Sequence, residues 1–137
     1  MSEPLLLDTC AAIWMAEGEP LSAVSREAIR AAVRTSALNV SAFVAWEVGL
    51  LEARNRRGFF APAVVWFQAL SETEGLNVLP LTAAILIASH SLPGAPGNDP
   101  ADRIMIATAR EHGLAIVTRD RRLLEYGSRG HVKTLAC

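Results

Sequence analysis

Short, continuously apolar runs alternate along this chain with stretches in which apolar residues recur every three or four positions. Leu5-Leu6-Leu7 ends at Asp8 and reads as a buried strand. A helix follows through Trp14 and closes in the turn Gly18-Glu19-Pro20. Ser22 caps a second helix that carries Val24, Ala28, Ile29 and Ala32 on one side. Residues 37–40 read as the next strand, and Ser41 opens an apolar helix to about Arg56, closed by Gly58. Pro62 begins a helix to Glu72, and Leu76-Asn77-Val78-Leu79 is a third strand. Thr82 starts a helix through Ser89, and residues 91–98, rich in Pro and Gly, form a loop. Asp99-Pro100 opens a helix that ends at His112-Gly113. Residues 114–117 are a fourth strand, residues 121–126 a short helix, and residues 132–135 a last strand.

Strands that are apolar throughout, alternating with helices, imply a parallel sheet covered on both faces. The expected fold is α/β, a three-layer α/β/α sandwich around a central parallel sheet, built as one domain over residues 1–137. In such sheets ligands bind outside the carboxyl ends of the strands, where the strand order reverses.

Composition adds limits. With 51% apolar residues there is enough material for one core, and no run reaches the roughly 18 apolar residues of a membrane span. The segment before Asp8 is too short and too uncharged for a secretory signal, so a soluble, cytoplasmic protein without membrane contact is expected. Cys10 and Cys137 lack the spacing of a zinc site and read as reduced thiols. His90, His112 and His131 lie far apart and read as surface residues. A net charge of −1 argues against holding nucleic acid by bulk attraction, but leaves room for an enzyme that touches a few phosphates. Lys133 is the single lysine among thirteen basic residues, a bias to arginine that carries little weight.

The candidate chemistry lies in acids. Asp8 and Asp120 each follow a strand and project from the carboxyl edge of the sheet, although each also has the placement of a helix N-cap. Glu47 has Phe43, Val44, Leu50 and Leu51 as its helical neighbours, which puts a carboxylate on an apolar stripe. Such a carboxylate is costly unless paired or bound to a metal. Asp99 reads as an N-cap. Asp102 sits in the first helical turn, where the dipole favours it, but also near the apolar face marked by Met105, Ile106 and Ala109. Gathering such acids is unfavourable alone, since like charges at about 4 Å repel by roughly 4 kcal/mol at an effective dielectric near 20. Cations offset that repulsion, and oxygen-only ligands select Mg2+ or Mn2+. These ions activate water and clamp phosphodiester oxygens in an in-line displacement, a hydrolysis with no covalent intermediate.

Taken in order, Leu5-Leu6-Leu7-Asp8-Thr9, the segment from Ser41 to Glu47, Asp99-Pro100-Ala101-Asp102-Arg103 with Ile106-Ala107-Thr108-Ala109, and Val117-Thr118-Arg119-Asp120 resemble the PIN-domain ribonucleases, particularly the VapC toxins. Each segment is weak alone; the ordered set is specific and frames nearly the whole chain. The resemblance implies catalytic, metal-binding roles for Asp8, Glu47, Asp102 and Asp120, a supporting place for Asp99, and a polar contact from Thr118. It implies divalent-metal-dependent hydrolysis of RNA, a small VapB-like antitoxin that blocks the acidic pocket, a toxin homodimer, and neighbouring strands ending at Asp8 and Val117. Where many family members carry a basic or histidine residue before the Asp-Pro pair, this chain has Gly97-Asn98. That leaves the acids intact and takes away any contact the basic residue would make.

Arg103, Arg119, Arg121 and Arg122 flank the acids and are candidates to hold RNA phosphates, or to pair with the acids themselves. Arg54, Arg56 and Arg57 end a helix, where the dipole favours cations anyway. Trp14, Trp46, Phe59, Phe60, Trp66 and Phe67 are expected mostly in the core, with one of the adjacent Phe59-Phe60 pair left to a partner groove. Among rival readings, an aspartate-based phosphatase wants a second acid where Cys10 stands, and a receiver domain wants an acidic pair at the first strand. Both leave Glu47 unexplained. A non-catalytic RNA- or protein-binding module gives the acids no purpose.

Overall fold

The computed structural model describes residues 2–54 and 61–137. Strand β1 (Leu5–Leu7) leads into α1 (Thr9–Glu17) and α2 (Ala23–Arg34), then β2 (Leu38–Ser41), α3 (Phe43–Ala53), α4 (Ala63–Ser71) and β3 (Leu76–Leu79). After α5 (Ala83–Ala88) and α6 (Pro100–His112) come β4 (Ala115–Thr118), α7 (Arg121–Ser128) and β5 (Lys133–Ala136). All strand pairings are parallel, in the order β3-β2-β1-β4-β5. The chain builds outward from β1 through β2 to β3, then crosses back to β4 on the other side. The order therefore reverses between β1 and β4, where Leu7 stands opposite Val117.

The two-residue period of β1 divides the core. Leu5 and Leu7 join Ala115 and Val117 in a cluster with Ala11, Ile29, Val44 and Leu70, from α1 to α4. Leu6 and Ile116 point the other way, onto Met105, Ile106 and Ala109 of α6 and Leu123 and Tyr126 of α7. A sheet buried on both faces explains why its central strands are apolar at every position. The α/β/α sandwich expected from the pattern is the fold observed. Among the described residues no helix is long and apolar enough to cross a membrane.

Local rules account for most element ends. Ser22 and Thr82 accept from Ser25 N and Ile85 N, and Gly18 and Gly113 close α1 and α6 in the left-handed conformation. Gly75 is required by more than its φ of 82°, because a Cβ there would lie 2.4 Å from the Val33 carbonyl oxygen. Helix α3 ends at Ala53 with Arg54 as its C-cap, short of the expected end at about Arg56; Arg56, Arg57, Gly58 and the Phe59-Phe60 pair fall outside the described residues.

Two expectations are corrected. Val24 does not share the buried side of α2; it is exposed, and the inward stripe is Ser25, Ile29 and Ala32. Ser25 is tolerated there because its hydroxyl donates to the Ser22 carbonyl and accepts from the Ser22 hydroxyl. Trp46 is not core but 60% exposed, stacked on Phe43 with ring centroids 5.3 Å apart. Trp14, Trp66 and Phe67 are half-buried.

The long loop before α6 is tied down from outside. The Tyr126 hydroxyl, on a fully buried ring, donates to the Pro93 carbonyl at 2.6 Å. Arg103 donates to Gly97 O at 2.7 Å and to Ser89 O at 3.2 Å. Tyr126→Phe leaves the Pro93 carbonyl without this donor and is expected to cost about 1–2 kcal/mol, read as a fall in melting temperature of a few degrees.

Candidate active site

Asp8, Glu47, Asp99, Asp102 and Asp120 all line one cleft of about 220 Å³, with Thr9, Cys10, Ala101, Met105 and Leu123. It lies at the carboxyl ends of β1 and β4, where the strand order reverses. Five acids from four separate stretches of sequence meet there.

Three of them are helix N-caps. Asp8 accepts from Ala11 N at 2.7 Å, Asp99 from Ala101 N at 2.9 Å, and Asp120 from Arg122 N at 2.8 Å. In each case Oδ1 takes the backbone donor. Capping and a functional role are therefore compatible: one oxygen anchors the side chain and leaves the other for the cleft. The N-termini of α1, α6 and α7 thus face the same space, and their positive dipole ends offset part of the carboxylate repulsion. Asp102 adds a fourth such charge in the first turn of α6.

Glu47 reaches the cleft from the side of α3. It is half-buried at the margin of the apolar stripe, and the Thr9 hydroxyl donates to its Oε1. Thr118, buried at the end of β4, donates its hydroxyl to Asp8 and accepts from Asp120 N at 3.0 Å. Thr118 was expected as a polar contact; the role of Thr9 went unread in the sequence, where its one signal is adjacency to Asp8.

The electrostatics are those of crowded carboxylates. Burial raises the pKa of Asp8, opposed by the Thr118 and Ala11 hydrogen bonds and supported by the charge of Asp120. Burial likewise raises Glu47, opposed by Thr9 and supported by Asp99 and Asp8. Asp102 is pushed up to about 6 by burial first, then by Asp99 and Asp120, against the pull of Arg122. Among the described residues no three His, Cys, Asp or Glu side chains are disposed to hold a metal ion as they stand. The donor set nevertheless suits a hard divalent cation: carboxylate oxygens, charges that repel one another, and an arginine already drawn among them.

The four flanking arginines do not share one place. Arg122 pairs with the acids, its guanidinium 3.6 Å from Asp102, 3.8 Å from Asp120 and 3.9 Å from Asp99. Arg121 is exposed beside it. Arg103 is engaged by the loop carbonyls. Arg119 lies over Trp14, 4.1 Å from the ring centroid, and donates to Pro20 O at 2.7 Å. Both therefore secure neighbouring turns. His90 and His112 are exposed, and neither Cys10 nor Cys137 is in a disulfide.

A model of the PIN domain matches residues 5–128. The chain belongs to the PIN domain family. It is 38% identical over 121 residues to Ribonuclease VapC22 of Mycobacterium tuberculosis, covering 87% of this chain and 88% of that one. Its fold is similar to VapBC2 from Rickettsia felis, solved bound to a promoter DNA fragment (TM-score 0.68, 11% identity, 97% and 98% of the two chains). It is also similar to DNA-bound VapBC from Salmonella typhimurium (TM-score 0.67, 20% identity, 99% and 98%). At those identities the two structures speak to the fold alone.

Proposed function

We propose that this PIN-domain protein is an endoribonuclease that hydrolyses RNA phosphodiester bonds with a divalent cation, Mg2+ or Mn2+, and is the toxin of a toxin–antitoxin pair in the cytoplasm. The observation that carries the reading is the convergence of five carboxyl groups on one cleft at the reversal of strand order. Likeness to a named ribonuclease over most of the chain supports the reaction class. When bound, the cation supplies Lewis acidity to the phosphodiester and to the attacking water.

In this reading Asp8, Glu47, Asp102 and Asp120 hold the cation, and Asp99 supports them. Thr9 and Thr118 orient Glu47 and Asp8, and the dipoles of α1, α6 and α7 temper the acid charge. Arg121 and Arg122 stand nearest to receive RNA phosphates; Arg103 and Arg119 act through the loops they hold. The whole chain works as one PIN-like unit and as a homodimer. A small VapB-like antitoxin covers it; the groove between α3 and α4, lined by Ala45, Gly49, Ala63, Val64 and Phe67, offers an apolar surface to such a partner.

The test is cleavage of single-stranded RNA by purified protein freed of any partner. Cleavage is expected with Mg2+ or Mn2+, to stop with a chelator and to return when the ion is restored. No cleavage with either ion, or cleavage at full rate in chelator, contradicts the reading. Thr9→Val keeps the side-chain volume but removes the donor to Glu47. Its cation affinity is expected to fall about 10-fold, as for other groups that orient metal ligands, with little change in melting temperature. Titration calorimetry with Mn2+ checks this.

A further inference from the structure

We infer that Arg122 is a built-in counter-cation of the acid cleft, which competes with the divalent ion for the carboxylates and, once displaced, binds the RNA phosphate. The inference rests on the metal-dependent ribonuclease reading and specifies how its site is regulated. Its basis is that one guanidinium spans three acids of the cleft, Asp99, Asp102 and Asp120, at 3.6–3.9 Å. These distances suit electrostatic attraction better than a close, bidentate fork, and the side chain remains 68% exposed. Such a group is held by charge rather than by packing.

Its root, by contrast, is fixed. Arg122 is the second residue of α7, and its N–H donates to the Asp120 cap at 2.8 Å. When the head leaves the acids, the root keeps it at the mouth of the cleft. The chemistry then sets the order of events. With the cleft free of divalent ions, the acids repel an incoming phosphate and retain the guanidinium. A divalent ion on the same carboxylates weakens their hold on Arg122, because both cations draw on the same negative charge. The freed guanidinium presents a fork of donors that matches phosphate. One residue thus limits cation affinity and adds to RNA affinity.

The experiment compares wild type, Arg122→Lys and Arg122→Gln. Mn2+ binding is measured by titration calorimetry without RNA, and kcat and KM for RNA at saturating Mn2+. Arg122→Gln is expected to bind Mn2+ about 10-fold more tightly, the scale of several weak exposed pairs acting together. Its KM for RNA is expected to rise with a smaller change in kcat, and Arg122→Lys to fall between the two proteins in both measurements. Unchanged or weaker Mn2+ binding by Arg122→Gln overturns the competition. Tighter binding with an unchanged KM overturns the transfer to phosphate. Absence of Mn2+ binding by wild type and variants alike overturns the metal-dependent reading itself, and the inference with it.

Discussion

Asp8→Asn removes RNA cleavage while leaving the fold intact. The loss is expected to exceed about 100-fold, since groups that only orient metal ligands already carry about 10- to 100-fold. The folded state is expected to survive because the two jobs of Asp8 fall on different oxygens. Oδ1 accepts from Ala11 N and caps α1, and an Asn carbonyl caps about as well. Thr118, which donates to the carboxylate, can instead accept from the amide. The half-buried charge is lost, so the ion-free melting temperature is unchanged or higher. Asp8→Ala is the contrast: activity is lost and so is the cap, at a cost of about 1 kcal/mol. A melting curve beside a cleavage assay separates the two. Retained cleavage in Asp8→Asn contradicts the assigned role.

Asp102→Asn gives the second large effect, a gain in ion-free stability near pH 7. The Asp102 carboxyl is lifted from 3.8 to about 6, so the folded state binds its proton more tightly than the unfolded chain does. Its contribution to stability is therefore complete below about pH 4 and is lost as pH rises through about 6. The lift corresponds to about 3 kcal/mol at most. That lift already contains the opposing pull of Arg122; loss of the dipole interaction in the first turn of α6 offsets part of it. A net gain of about 1–2 kcal/mol is expected, a rise in melting temperature of about 5 °C. Two features of the melting series check the sign. The difference between variant and wild type closes as pH falls to 4, and saturating Mn2+ narrows it at pH 7 by stabilising wild type more. A variant that melts lower than wild type at pH 7 contradicts this electrostatic account.

The fold was legible because local signals and burial agree. Leu5 to Leu7 are apolar throughout since both faces of β1 are covered, and caps such as Ser22, Thr82 and Asp99 mark helix starts within a residue. The cleft was legible in part for the same reason: an acid immediately after a parallel strand can project from only one edge of the sheet. Glu47 was visible as a charge on an apolar helix face, a conflict resolved by its place at the edge of a cleft. What stayed hidden depends on tertiary distance. Thr9 meets Glu47 across 38 residues, and Arg119 reaches Pro20 across 99. No spacing rule connects such pairs. Val24 misled because a small change in helix rotation moves the stripe to Ser25, whose hydroxyl is satisfied locally. The four arginines look alike in sequence, and only their surroundings separate the loop anchors Arg103 and Arg119 from Arg122 at the acid cleft.

Whether a divalent cation sits among the cleft acids is decided by anomalous scattering from crystals grown or soaked with Mn2+. The expected result is a peak inside the cleft with oxygens of Asp8 and of one or more of Glu47, Asp102 and Asp120 as its ligands, and with the Arg122 guanidinium moved off the acids. A cleft without a peak, in crystals of protein that cleaves RNA in the same Mn2+ solution, would contradict the account.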